Sequence, residues 1–396
     1  MSSTLPPLRL ILLLALIFAL SPLAIDMYLP TIPAIAAELG VPAQDIAVTV
    51  SLYMLGLSFG QFFGGPISDY VGRRPTLFFG LVLFAVASLV IASTETLSVF
   101  WAARFFQALG GGFASVVVPA IIRDHTEGQD TAKLFSQIML ITIIAPALAP
   151  SIGTLLYSLS GWKLVFLVLA AYALTVCFLA SIIIKKRGSD PRPPLVDSLL
   201  TRYKFVLTNR TAMAYLVAQS LGFSVMITFV ANAALVYIDL YGQSETVFSM
   251  LFAGNIVTLA IANRINNRLL NTVPAEQILP RAMLLLFVFC TGLLLVTAFS
   301  PPLWVVVPLV MLAVGALGGV MGNSQACALQ FFPQHSGIAS ALMGSAQYLI
   351  GGLISGLSTQ FHSDYMWPMT LTMFLASALG LYFVPKWDKK TLAVSA

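Results

Sequence analysis

In PLAIDMYLPTIP, residues 22–33, an aspartate interrupts a run that is apolar from Leu10 onward. Asp26 has one counterpart at depth, Arg104, which opens the segment RFFQALGGG. An ionisable group inside a membrane span costs roughly 2.5–3.5 kcal/mol or more, so it marks a polar cavity, a partner or an ion path. A carboxylate in that setting can hold or release a proton as its surroundings dry or wet, and a nearby cation favours its ionised form. Counting along the helices puts the two charges at similar depth. Asp26 precedes the loop residue Glu38 by 12 positions, roughly 18 Å of helix, and Arg104 follows Glu95 by 9, roughly 14 Å. A static salt bridge between two helices and a proton-coupling pair are both compatible with that placement.

GPISDYVGRRP, 65–75, joins two apolar segments through a short polar loop. Gly65 permits close helix approach, Gly72 suits a tight turn, and Asp69 can accept hydrogen bonds from arginines. With Arg73 and Arg74 these residues read as a latch on the cytoplasmic face. Arg123 follows Arg104 by 19 residues, roughly 28 Å along one helix, which brings it level with the loop and predicts an Asp69–Arg123 pair. Pro146 and Pro150 stand i, i+4 in one apolar segment. Each removes a backbone donor, so a bend is expected there, and Gly153 allows a neighbour to pack closely. Groups able to line a substrate cavity are Tyr53, Phe223, Met226, Asn232, Asn323, Gln325 and Gln347. Cys177, Cys290 and Cys327 fall in apolar runs without metal-like spacing, and GGVMG at 318–322 lacks the Gly-Lys-Ser/Thr of a phosphate cradle. Neither a metal site nor direct ATP coupling is expected.

The elements that must position these residues follow from composition. The chain has 396 residues, 59% hydrophobic and 9% charged, with a mean hydropathy of +0.93. A water-soluble chain carries about a quarter charged residues, so this one belongs in a bilayer. Twelve apolar segments, from about 8–34 to about 365–385, predict an all-α integral membrane protein of 12 transmembrane helices. The first run has a single basic residue, Arg9, and is too long for a cleaved signal, so it reads as a retained helix. One long polar stretch divides the chain into an N-terminal six-helix bundle, 1–184, a linker, 185–210, and a C-terminal six-helix bundle, 211–396. A faint repeat of the 65–75 loop in IANRINNRL, offset by 194 residues, supports two related halves with a site between them, which is a transporter plan. With both termini cytoplasmic, every Lys and Arg except Lys163 and Arg104 falls on the inner side. The spans hold no His/Glu cluster, no serine–base arrangement and no ring of charges, which argues against an enzyme and against a channel.

GPISDYVGRRP resembles the G-x-x-x-D-x-x-G-R-R signature of the major facilitator superfamily. RFFQALGGG resembles the fourth-helix R-x-x-Q-G-x-G pattern of its proton-coupled members, with Ala108 where glycine is usual. APALAPSIG, 145–153, resembles the fifth-helix antiporter motif, with Ala145 replacing the leading glycine. PLAIDMYLPTIP and the region around SQACALQFFPQHSGIASALMGSAQYLIGG resemble the bicyclomycin/chloramphenicol-resistance (Bcr/CflA-type) exporters. The resemblance implies the major facilitator fold of two pseudo-symmetric bundles in a bacterial inner membrane. It also implies proton-coupled multidrug efflux by antiport, with Asp26 and Arg104 in coupling and the proline bend resisting leakage. A proton gradient would replace any cofactor. The partners would be small drug-like substrates, protons and lipid, with no nucleic acid and a monomer as the working unit. Export of a specific metabolite, such as a siderophore or an amino-acid derivative, is the alternative on the same scaffold.

Overall fold

The computed structural model describes residues 8–125, 128–184, 204–332, 336–361, 363 and 365–385, and among them the chain is helical with no strand. From the N-terminal side the helices are α1 Leu8–Asp26, α2 Ile32–Leu39, α3 Ala43–Tyr70, α4 Arg73–Ser93, α5 Leu97–His125, α6 Gly128–Ser160 and α7 Trp162–Ile183. Then follow α8 Arg210–Ala234, α9 Glu245–Leu269, α10 Ala275–Thr297, α11 Leu303–Ala316, α12 Met321–Leu329, α13 Ser336–Gln360 and α14 Trp367–Phe383. Each of the twelve apolar segments falls on a helix or on two helices in line: α1 with α2, and α11 with α12, make interrupted spans. Among the described residues, nine stretches are long and apolar enough to cross a membrane.

Some helices carry an apolar stripe on their outward face besides the apolar residues they bury. Ile144, Leu148, Ile152, Leu155 and Leu159 form an exposed stripe on α6, and Phe79, Val82, Val86 and Leu89 form one on α4. On α4 the polar residues Thr76 and Ser88 are buried instead. Stripes at three- and four-residue spacing normally face a core; turned outward, they suit a lipid surround.

Contacts divide the chain into two compact units: residues up to Leu199 together with Ala231–Ala253, and Leu200–Val230 together with Gly254 onward. The middle helices α8 and α9 therefore each contribute to both. Residues 185–203, most of the expected linker, lie outside the described residues.

Unit one is built on glycine contacts. A methyl on Gly60 of α3 would meet Leu109 O at 2.5 Å and Gly112 Cα at 2.8 Å, and one on Gly56 would run into the Phe105 carbonyl. The run Gly110-Gly111-Gly112 turns about 100° per residue and so serves three neighbours. A methyl on Gly110 would meet Gly80 O of α4 at 2.5 Å, one on Gly111 would meet Ser21 Oγ of α1 at 2.8 Å, and one on Gly112 would meet Gly60 Cα of α3 at 2.8 Å. Small residues at such crossings let backbones approach, which drives association where the hydrophobic effect is absent. Ala108, standing where its motif usually has glycine, fits because Gly56 faces it. In unit two, α10 packs on α11 and α14. There Gly318 approaches Asn263 N, and Gly351 approaches the Phe223 ring.

Candidate functional site

The first span is not the continuous helix its apolar run suggested. Pro30 has no N–H to give the carbonyl four residues back, and its ring collides with that carbonyl, so α1 ends at residue 26. Met27 and Tyr28 leave the helix and Leu29–Thr31 makes one 3-10 turn. Then α2 begins with Pro33 in its first turn, where a missing donor does no harm. Asp26 is thus the last residue before a break. It is 6% exposed, and among the described residues its carboxylate makes no hydrogen bond or ion pair.

Arg104 on α5 lies beside this break, at the depth its position predicted, and is fully buried. Its Nη1 donates to Ala24 O at 3.2 Å and to Gln107 Oε1 at 2.6 Å. Gln107 Nε2 in turn donates to Ser88 Oγ at 2.7 Å, and Ser88 Oγ donates to Phe84 O at 2.8 Å. Aromatic faces surround the guanidinium: Tyr28 at 4.1 Å, Tyr53 at 4.6 Å and Phe166 at 5.7 Å. A desolvated cation–π contact contributes about 2 kcal/mol and a charged hydrogen bond about 1.5–3 kcal/mol. Together with the negative end of the α1 dipole, these hold a cation in apolar surroundings without a carboxylate. The salt bridge between Asp26 and Arg104, weighed as a static tie, is not formed.

The proline-containing segment reaches the same place. α6 runs unbroken through Pro146 and Pro150, and its Gly153 sits directly against the Met27 carbonyl, so that any side chain there would collide with the backbone of the break. The next residue, Thr154, shares a hydrogen bond with Ser249 at 3.0 Å. Beyond the break, α2 is tied to α7: Trp162 Nε1 donates to Glu38 Oε2 at 2.7 Å and Lys163 Nζ pairs with Glu38 Oε1 at 2.7 Å.

At the other end of unit one, Gly72 adopts φ +111°, open to glycine and strained for other residues, and caps α4. Asp69 pairs with Arg73 across one turn, and Arg73 also binds Ser68 Oγ (2.8 Å) and lies 3.7 Å from Asp124 Oδ2 of α5. Arg74 donates to Ser181 O at 3.2 Å, at the end of α7. The side chain of Arg123, the expected partner of Asp69, lies outside the described residues. Gly65 is not a point of close approach: a methyl there would meet only Val116 Cγ2 at 3.7 Å, whereas Gly64 is the crowded position, with Val116 Cγ1 at 3.0 Å.

The expected cavity residues are distributed. In unit one, Tyr53 belongs to the arginine cage and Asn232 is buried. In unit two, Phe223 packs edge-on against Tyr348 at 5.3 Å, and Met226 is half-buried. Gln347 Oε1 accepts from Gln219 Nε2 at 2.8 Å, Gln325 Nε2 donates to Ser340 Oγ at 3.1 Å, and Asn323 Nδ2 donates to Asn266 Oδ1 at 2.8 Å. Tyr28, Thr49, Ser88 and Phe166 were not anticipated. Gln107 stands one turn from Arg104 on the same face, and Tyr28 sits two residues from Asp26, so both carried a signal. Ser88 and Phe166 carried none.

An unpaired acid at a helix break, a caged arginine and outward apolar stripes describe a membrane transporter rather than an enzyme. The family model of the Major Facilitator Superfamily matches residues 14–356, and the chain belongs to that superfamily. It is 30% identical over 386 residues to the bicyclomycin resistance protein homologue of Haemophilus influenzae, covering 96% of this chain and 97% of that one. It is 32% identical to the multidrug resistance protein MdtL of Escherichia coli over 234 residues, 59% of each. Among solved structures, a D-xylose–proton symporter superposes with a TM-score of 0.75 at 18% identity, over 95% of this chain and 97% of that one. That likeness speaks for the fold alone.

Proposed function

We propose that the protein is a proton-driven exporter that exchanges protons for small, largely apolar compounds, antibiotics among them, by alternating access in a bacterial inner membrane, with both termini in the cytoplasm. The drug-resistance names of the full-length and partial relatives favour this cargo over a single metabolite. The observation that carries the coupling is the buried Asp26 at the break of the first span, left without an ion pair among the described residues. A carboxylate so placed has its charge governed by whether water reaches it. Movement that wets it from one face and dries it from the other carries a proton inward. A cargo molecule in the same cavity excludes that water, so proton and cargo alternate. Interrupted spans are where such sites are built, because the break frees backbone groups for a cavity rather than for lipid.

Replacing the carboxylate by its uncharged isostere tests this directly. Asp26→Asn, reconstituted as inverted vesicles with a panel of antibiotics and dyes, should abolish gradient-driven uptake while the protein still folds and binds cargo. Full retention of gradient-driven uptake in that variant would sink the assignment.

A further inference from the structure

Arg104 holds the chain on both sides of Asp26 without touching its carboxylate. Two residues before, Ala24 gives its carbonyl to Nη1 at 3.2 Å; two residues after, Tyr28 lays its ring on the guanidinium at 4.1 Å. Tyr28 is in turn fixed. Its hydroxyl lies 3.0 Å from Thr49 Oγ1, and Thr49 commits its only proton to Ile46 O at 2.6 Å. The tyrosine is therefore the donor in that bond, and α3 anchors the ring. Phe166 of α7 backs the same ring at 6.0 Å. Both Tyr28 and Thr49 are fully buried.

From this we infer that Tyr28 is the positioning residue of the coupling site: stacked on Arg104 and locked to Thr49, it keeps the arginine engaged with the chain and away from the Asp26 carboxylate. Arg104 has two further donors, Nε and Nη2, with no hydrogen-bond partner among the described residues. Once the ring is removed, the guanidinium keeps Ala24 O, Gln107 and the Tyr53 and Phe166 faces but loses its nearest aromatic contact. The carboxylate of Asp26, midway along the chain between Ala24 and Tyr28, then competes as an acceptor for its two free donors. Tyr28 thus separates a free acid, able to exchange its proton, from an ion pair that could not. The inference rests on the reading of Asp26 as the proton carrier and adds the residue that keeps it available. The other titratable side chains described on the elements packed here are Asp45, Tyr53, Asp69 and Tyr70 on α3, Asp124 on α5, Tyr157 on α6, Tyr172 and Cys177 on α7, and Tyr237 and Asp239 on the turn at 235–240. Tyr172 is committed to Leu16 O (2.9 Å), and Lys163 and Glu38 are paired with each other at the far end of α2.

The test reads the acid itself, with neither cargo nor gradient. A hydrophobic carbodiimide reacts with protonated buried carboxyls, so labelling of purified full-length protein in detergent, mapped to residue 26 by mass spectrometry across a pH series, gives the midpoint of Asp26. Tyr28→Phe, which keeps the ring over Arg104 but gives up its bond to Thr49, should move the midpoint by about half a pH unit at most. Tyr28→Met, which keeps the bulk and loses the π face, should move it by about one pH unit or more, tenfold in proton affinity. Restoring an aromatic ring with Tyr28→Trp should bring it back. If Tyr28→Met is not recovered folded, Thr49→Val, which frees the ring but leaves it in place, should move the midpoint in the same sense by less. An unchanged midpoint in Tyr28→Met, or in Thr49→Val where that variant stands in, would overturn the positioning role and leave Asp26 as carrier. A wild-type Asp26 that does not titrate would instead overturn the carrier reading.

Discussion

At the scale of single residues, what decides the site is which atoms are left unsatisfied and which are crowded. Gly153 is crowded: the Met27 carbonyl occupies the place of any side chain. Gly153→Ala must therefore either push α6 away from the break or press the break shut. Overpacking of this kind costs about 1–3 kcal/mol, and here the strain falls on the backbone next to Asp26. Cells expressing Gly153→Ala should lose at least tenfold of the resistance conferred by the wild type at equal protein level, whereas Gly65→Ala, with no contact nearer than 3.7 Å, should keep it. Equal resistance in both variants would show that the Met27–Gly153 contact is idle. Much of this was legible in the residues. The depth match of Asp26 and Arg104 follows from counting, and Gly153 was marked as a packing position. Their relation was not legible, because sequence position gives depth along a helix but not azimuth. Arg104 turns its Nη1 to Ala24 and Gln107, and the salt bridge that depth alone permits is not made.

At the scale of elements, the same limit explains what periodicity found and missed. Apolar runs located every span, since the bilayer imposes a length on each. The break within the first run has a signal in it: Pro30 stands four residues after Asp26 and Pro33 follows, a pair that α1 does not pass through, although α6 runs on through Pro146 and Pro150. An apolar count passes over such a break because Met27 and Leu29 are apolar and only Tyr28 stands between them. The triple glycine is the clearest case of an element specified by its neighbours. A methyl on Gly110 would meet Gly80 O and Phe84 N of α4 at 2.5 and 2.7 Å, and one on Gly112 would meet Gly60 Cα and Leu57 O of α3, both at 2.8 Å. These are backbone atoms, which cannot yield as a flexible side chain can. Gly110→Ala and Gly112→Ala should each lower stability by about 1–3 kcal/mol, seen as a fall in the melting temperature of the purified protein in detergent. Wild-type melting in both would mean that α5 adjusts without loss.

At the scale of the whole molecule, the arrangement of charge carries the orientation. Apart from Arg104 in the cage, Lys163 is the one Lys or Arg that stands away from the cytoplasmic side in this reading. It does not stand as a free cation: Glu38 pairs with it at 2.7 Å, and the same carboxylate accepts from Trp162. The rule is a bias in how many Lys and Arg lie on each side, so one outer lysine among 20 basic residues leaves it intact. In that reading the outer ends bear Glu38, Glu95 and Glu245, while Arg73 and Arg74 stand at the start of α4, paired with Asp69 and with Ser181 O of α7. Orientation can be read without transport. Replace Cys177, Cys290 and Cys327 by alanine, two of which are buried in any case, and introduce one cysteine at a time at Ser3, Lys163 or Ser395. A membrane-impermeant maleimide applied to intact cells should label Lys163→Cys and neither terminal variant, and applied to inverted vesicles it should label Ser3→Cys and Ser395→Cys alone. The reverse pattern would place both termini outside and turn the Asp69 loop away from the cytoplasm.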